Sequence, residues 1–227
     1  ELAKRAMSLW GPPDESTGSL PPADGIHPYE FSRRHVQPIQ IGQPKLKVGG
    51  MEPPAVIVRS HTPMNEDTEV IRDVCTVQSK FKDAKIEGLL VEPQSESDFH
   101  QLPLLAEALH TIMPLIIVDC RTFSPKWLTD KILPRNQSWG IFCKVSKGRK
   151  EDIATAKALG KTVFAELDSP DDVVLIKEEF DGVSVVMTLD DSASGPDHAL
   201  GQYRKLAFLS KEVGVEAPIW VRTTSKN

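Results

Sequence analysis

Seven short apolar runs recur along the chain at intervals of roughly 20 to 35 residues, and each gives way to a polar or charged residue. They occupy residues 55–58, 88–91, 115–118, 140–143, 162–165, 182–187 and 218–221. Runs this short, bounded by turn residues, read as buried strands. The gaps carry a different period. Val70, Ile71, Val74 and Val77 form one apolar stripe, and Leu102, Leu105, Leu109 and Ile112 form another. They predict helices over 66–82 and 99–113. Further helices are predicted over 125–133, 150–159, 171–180 and 198–213. Ser124 is placed to cap the third, with Pro125 in its first turn. Gly160 stops the fourth, and Ser169-Pro170-Asp171-Asp172 starts the fifth with acid at the positive end of the helix dipole.

Strand and helix in alternation predict βα units and a parallel sheet. The expected fold class is α/β, a (β/α) TIM-type barrel over residues 55–227, either incomplete or closed by another segment, since only seven strands are legible. An open doubly wound sheet is the alternative. The units are short and uniform, and no glycine-rich phosphate loop follows the first strand, so the barrel is preferred.

Residues 1–54 are built differently. Nine prolines, from Pro12 to Pro54, break regular helix beyond the first turns. Residues 1–37 read as an irregular Pro-rich extension. Either it is a disordered tail, or Trp10, Ile26, Tyr29 and Phe31 anchor it on a partner or a second copy. Over 38–54, Ile39, Ile41, Leu46 and Val48 alternate with polar residues around Gln43-Pro44, which predicts a hairpin capping the amino-terminal end of the barrel. A first residue that is Glu1 reads as a processed chain or a piece of a longer one.

Composition narrows the choice of partners. A formal net charge of −5 gives no electrostatic reason to expect nucleic acid or an acidic membrane surface. No apolar run approaches the roughly 18 residues that span a bilayer. Cys75, Cys120 and Cys143 are odd in number and widely spaced, which predicts reduced thiols, no zinc site and a reducing, cytoplasmic-type compartment. No two histidines have metal-site spacing.

The candidate chemistry lies where strands end, because parallel βα folds place their sites there. Glu92, Asp119, Lys144 and Glu166 each follow an apolar run and are the expected catalytic residues. Arg59, His61 and Arg222 are the expected ligand-binding residues. Arg121 and Asp168 are also ionisable neighbours of the strand ends. Such a rim suits proton transfer, carboxylate-assisted metal binding, or Schiff-base chemistry at Lys144. Lys144 is flanked by Phe142, Cys143 and Val145, so a desolvated amine with a lowered pKa is expected. Polar residues also follow strands simply because strands end at solvent. Cys120 and Cys143 fall near strand ends, but Arg121 and Lys144 point to the opposite face, so neither is expected to be a reactive thiol. The loop Ser192-Ala193-Ser194-Gly195 is flanked by Asp190, Asp191 and Asp197, which disfavours an anion there.

Ile39-Gln40-Ile41-Gly42, residues 45–50 and the following strand resemble the amino-terminal hairpin of pterin-binding barrels of the dihydropteroate-synthase and corrinoid-methyltransferase type. Ile116-Ile117-Val118-Asp119 followed by Arg121 is similar to the third-strand end of those families. The resemblance implies that Asp119 faces a pterin. The asparagine those families carry after strand four is replaced by Cys143-Lys144, and no DPG-like turn follows strand six.

Three functions follow as expectations: a TIM-barrel enzyme or enzyme subunit acting on a small polar metabolite by acid–base or metal-assisted chemistry; a non-catalytic barrel serving as an assembly or interaction module; and pterin- or corrinoid-linked one-carbon transfer. Fold alone does not choose among them.

Overall fold

The computed structural model describes residues 36–41, 46–50, 52–60, 62–64, 67–80, 86–128, 138–190 and 196–222. All of them lie in one compact unit, His35–Asn227. Residues 1–35 of the Pro-rich extension, His61, the 191–195 loop and the centre of the expected hairpin turn lie outside the described residues.

Strands β1 (Ile39–Ile41) and β2 (Leu46–Val48) pair antiparallel, with Ile39 opposite Val48. Six strands follow: β3 (Val56–Arg59), β4 (Ile86–Val91), β5 (Leu115–Asp119), β6 (Ser138–Val145), β7 (Thr162–Leu167) and β8 (Val185–Leu189). They form one sheet in the order β3-β4-β5-β6-β7-β8, every neighbouring pair parallel. Spatial order therefore equals chain order. A doubly wound sheet must reverse its strand order somewhere, and this one does not. It is the singly wound sheet of a half-barrel. The seventh predicted run contributes a parallel bridge, Met187 to Ile219, in which Met187 N–H donates to the Pro218 carbonyl at 2.8 Å and Trp220 N–H to the Met187 carbonyl at 2.7 Å.

The crossovers carry α1 (Asp67–Lys80), α2 (Glu96–Phe99), α3 (Leu102–Leu109), α4 (Lys150–Ala158), α5 (Val173–Glu179) and α6 (Pro196–Val213). Their buried residues, among them Val70, Val74, Leu105, Leu109, Ile153, Ile176 and Leu206, share one core with the strand residues Leu89, Val91, Ile116, Val118, Ile141, Val163 and Met187. The other side of the sheet has its own core. Leu90, Leu115, Ile117, Phe142, Phe164 and Val186 pack with Ile41, and Ile39, Leu46, Val48, Ile57 and Trp220 lie against them. Helices thus cover one face, while the β1–β2 pair and Trp220 cover the inner one. Burial on both faces explains why the central strands read as continuous apolar runs rather than as alternation.

Two predicted helices differ. The stretch predicted over 99–113 is divided: one turn at Glu96–Phe99 precedes Leu102–Leu109, because Pro103 lacks an N–H and occupies the first turn of the second helix. Ser124 does cap a turn, accepting from Lys126 N–H at 3.4 Å, but the turn is 3₁₀ and spans Pro125–Trp127, after which Leu128 is extended. Residues 129–133 of that prediction lie outside the described residues. At Gly160, φ of +61° supplies the left-handed stop. Ser169 and Asp172 form a capping box, with Asp172 Oδ2 accepting from Ser169 N–H at 3.0 Å.

Candidate functional site at the inner rim

Side chains two apart on a strand share a face. Leu115 and Ile117 belong to the inner core, so Asp119 continues the inner side of β5. By the same parity Phe142 leads to Lys144, Phe164 to Glu166, Leu90 to Glu92, Ile57 to Arg59 and Trp220 to Arg222. All predicted site residues among the described ones therefore follow the inner face at one end of the sheet.

The structure gathers four of the rim residues into a buried cluster. Asp119 and Glu166 are almost fully buried, and Arg222 retains 13% side-chain exposure. Arg121 grips Asp119 with its fork: Nε donates to Oδ1 at 3.0 Å and Nη2 to Oδ2 at 2.7 Å. The backbone N–H of Arg121 also donates to Asp119 Oδ1. Its third nitrogen, Nη1, crosses to β7 and donates to Glu166 Oε1 at 2.9 Å. The crossing passes over the β6 residue Phe142, whose ring centre lies 4.3 Å from the guanidinium carbon. Arg222 reaches the same atom from the other side, with Nη2 2.8 Å from Glu166 Oε1, and also donates to the Leu189 carbonyl. Phe142 and Phe164 meet Trp220 edge to face at 5.4 and 5.5 Å, forming an aromatic floor.

Both guanidinia fall on Glu166 Oε1, and no described residue bonds Oε2. Burial pushes the Glu166 carboxyl above its ordinary pKa; Arg121 and Arg222 pull it down, and burial prevails. Burial also works against the charge of Arg121, but its bonds to Asp119 and Glu166 outweigh that and keep it firmly cationic.

The remaining predicted residues sit around this cluster. Lys144 is in register with Glu166, yet its ammonium turns to Asp168, at 2.7 Å, and to Asp190, at 3.7 Å. The hydrogen bond to Asp168 raises its pKa and outweighs its desolvation. The expected lowered pKa is therefore corrected: a nearby carboxylate holds Lys144 charged, the wrong state for a Schiff-base nucleophile. Glu92 pairs with Arg59, away from the central cluster. His61 lies outside the described residues, so the structure does not place it.

Four further residues shape the site. Arg121 is the hub, though only its strand-end position was noted; the Asp-x-Arg spacing, which puts both side chains on one face, was the available signal. Asp190 follows β8 just as Asp168 follows β7. Arg149 and Asp152 give no strand-end signal at all. Arg149 Nη1 donates to the Arg121 carbonyl at 2.6 Å, its Nε donates to Asp152 Oδ2 at 2.7 Å, and Ser124 Oγ donates to Asp152 Oδ1 at 2.6 Å. That chain pins the backbone of Arg121 from the helix side.

No group of three or more His, Cys, Asp or Glu among the described residues is placed to hold a metal ion. The carboxylates that metal-assisted chemistry would need are held by arginine instead. Cys120 and Cys143 are fully buried on the helix-facing side, and burial raises both thiols, Cys143 to about 12. Cys75 is exposed, and all three are free. No helix among the described residues is long and apolar enough to cross a membrane.

No protein-family profile matches the chain, and no curated protein matches it. Among solved structures, a mandelate racemase/muconate lactonizing protein from Herpetosiphon aurantiacus is 14% identical with a TM-score of 0.49, covering 86% of this chain and 49% of its own. A mandelate racemase/muconate lactonizing enzyme from Roseiflexus sp. is 12% identical with a TM-score of 0.48, covering 75% and 48%. A dipeptide epimerase from Methylococcus capsulatus is 17% identical with a TM-score of 0.46, covering 81% and 47%. The chain thus spans about half the length of each. Similarity this slight carries no reaction across and adds nothing to the topology that the strand order already gives.

Proposed function

We propose that the chain is a TIM-barrel-type enzyme domain that binds a small anionic metabolite at the inner rim and exchanges a proton with it through Glu166. The observation that carries this reading is the state of Glu166. It is a buried carboxyl with raised proton affinity, held by one oxygen between two guanidinia, with the other oxygen unengaged by described residues. A proton-transfer group needs a pKa drawn toward neutrality. Arg121 and Arg222 supply fixed positive charge where an anionic group of the ligand, or an oxyanion developing from it, would sit. Lys144, held charged by Asp168, adds to that field. Asp119 keeps the Arg121 fork in one orientation.

Incorporation of solvent deuterium into a panel of small 2-hydroxy, 2-oxo and 2-amino acids, followed by NMR, tests this. The native protein is expected to exchange at least one of them, at C2 of a hydroxy or amino acid or at C3 of an oxo acid, and Glu166→Gln is expected to abolish that exchange. Exchange that survives in the variant removes Glu166 from the chemistry.

One observation favours a second reading, an assembly module. The described rim carboxylates pair off with neighbouring bases: Glu92 with Arg59, Asp119 and Glu166 with the arginines, Asp168 and Asp190 with Lys144. In that reading the rim is a set of structural ion pairs, and residues 1–37 engage a protein partner or a second copy. Unchanged activity and ligand affinity in both Lys144→Ala and Asp119→Asn would favour it.

A further inference from the structure

The cluster at the rim has a charge count that restricts what can enter it. Asp119 and Glu166 carry two negative charges, Arg121 and Arg222 two positive ones, and the group is neutral as it stands. An anion that binds the two guanidinia must share them with Glu166, which already occupies the place where their donors converge. Two carboxylates on that one spot, both deprived of water, are strongly disfavoured.

We propose that the natural ligand is a small singly charged carboxylate that takes the place of Glu166 on Arg121 and Arg222, and that Glu166 picks up one proton from solvent as it enters. This rests on the reading of the rim as a ligand site. The balance is simple. Glu166 leaves the guanidinia as a neutral acid, its proton on the oxygen turned away from them, and the ligand carboxylate restores the lost negative charge. The buried cluster remains neutral before and after. A dianion such as sulfate or a phosphate ester would leave one uncompensated negative charge in the same buried space, so the count selects a monocarboxylate.

The surroundings of Glu166 point the same way. Arg121 faces it from the chain just past β5, Lys144 from β6, Asp190 from the end of β8, and Arg222 from the chain after the Ile219 bridge. Arg121 and Arg222 are the influences that favour its charge most strongly, while burial and Asp190 oppose it. A ligand that takes over the arginines removes the first pair and leaves the second. Asp168, two residues on, is already committed to Lys144 at 2.7 Å. The ammonium of Lys144 therefore remains in place as the ligand enters.

The test uses the full chain in a pH-stat near neutral pH, with sodium lactate as the probe and sodium sulfate as the dianion control. Lactate binding is followed separately by the chemical-shift change of labelled Arg side chains. The expected result is uptake of about one proton per lactate bound. Sulfate is expected to bind at least about tenfold more weakly. Glu166→Gln, which keeps shape and removes the competing charge, is expected to bind lactate about tenfold more tightly and to take up no proton. The proton count on the native protein stands even if the variant does not fold. Lactate binding without proton uptake, or sulfate binding as tightly as lactate, would overturn the exchange while leaving an anion site in place. No perturbation of Arg121 or Arg222 by lactate, acetate or 2-oxobutyrate would overturn both the exchange and the ligand-site reading beneath it.

Discussion

The rim holds two acid–base groups side by side, built from the same kinds of residue but differing in their access to water. In the first, Asp119, Arg121, Glu166 and Arg222 lie over an aromatic floor, and both acids are 97% or more buried. In the second, Lys144, Asp168 and Asp190 keep 33%, 47% and 31% of their side chains exposed. Pairing is good in both. What differs is the balance at the acid. Glu166 binds protons more readily than an ordinary glutamate despite two guanidinium neighbours, whereas in the second group it is the lysine that shifts, upward through its hydrogen bond to Asp168. Burial, not the presence of an opposite charge, makes a strand-end carboxylate chemically distinctive here.

The largest effect should come from removing the hub of the buried group. Arg121→Met leaves Asp119 and Glu166 desolvated with Arg222 alone to answer them. Loss of one partner from a buried pair costs about 3 to 5 kcal/mol, so the urea midpoint should fall by that equivalent. If Arg121→Met unfolds no earlier than Lys144→Met, the contrast between the two groups fails.

A change that leaves every charge in place asks how much the buried group owes to its floor. A Cβ on Gly140 would lie 2.5 Å from Phe164 Cε2 and 3.1 Å from Ile117 Cγ1. Neither neighbour is free to yield, since both are buried in the inner core. Gly140→Ala should therefore cost about 1 to 3 kcal/mol by overpacking. Tilting Phe164 disturbs Trp220, so the aromatic shifts of Trp220 should move, while the Lys144–Asp168 pair stays as it is.

The third effect is smaller and is read as a slope. The folded state holds a proton on Glu166 more tightly than the unfolded chain does. Its contribution to stability is full below the ordinary glutamate pKa, about 4.3, and is lost as pH rises through the higher folded value. Stability of the native protein should therefore fall with rising pH across that window relative to Glu166→Gln, which has no such group. Urea unfolding of both proteins at several pH values gives the comparison; parallel curves would mean that burial and the arginines cancel, and the opposite slope that the arginines control the carboxyl.

How much of this was readable in advance follows from what each signal depends on. Strand positions were legible because burial on both faces makes apolar runs that tertiary context reinforces: the run at 162–165 is the start of β7, and 115–118 lies within β5. The short units and the absence of a glycine-rich loop after the first strand favour a barrel over a doubly wound sheet, and the parallel sheet in chain order agrees with the singly wound part of that expectation. The inward direction of Asp119, Lys144, Glu166 and Arg222 follows from strand parity alone. The pairing does not, because it depends on side-chain reach across strands. Arg121 follows the end of β5 in sequence, but its role is decided on β7, 45 residues away. Lys144 was misread for the same reason. Its apolar sequence neighbours Cys143 and Val145 point to the helix side of the sheet, while the carboxylate that sets its pKa arrives from the end of the next strand.

The smallest effect belongs to Lys144. Its side chain is a third exposed, and the aspartates it meets are 31% and 47% exposed. Exposed pairs contribute less than about 1 kcal/mol and weaken with salt, so Lys144→Ala should shift the urea midpoint only slightly, and less still at high ionic strength. The hydrogen bond to Asp168 raises the Lys144 pKa. Its contribution is thus complete below the ordinary lysine value, about 10.4, and disappears as pH climbs through the folded value. Native protein and variant should therefore converge in stability at alkaline pH. A Lys144→Ala loss as large as that of Arg121→Met, unaffected by salt, would show that the two groups form one buried network, and the distinction drawn from water access would not stand.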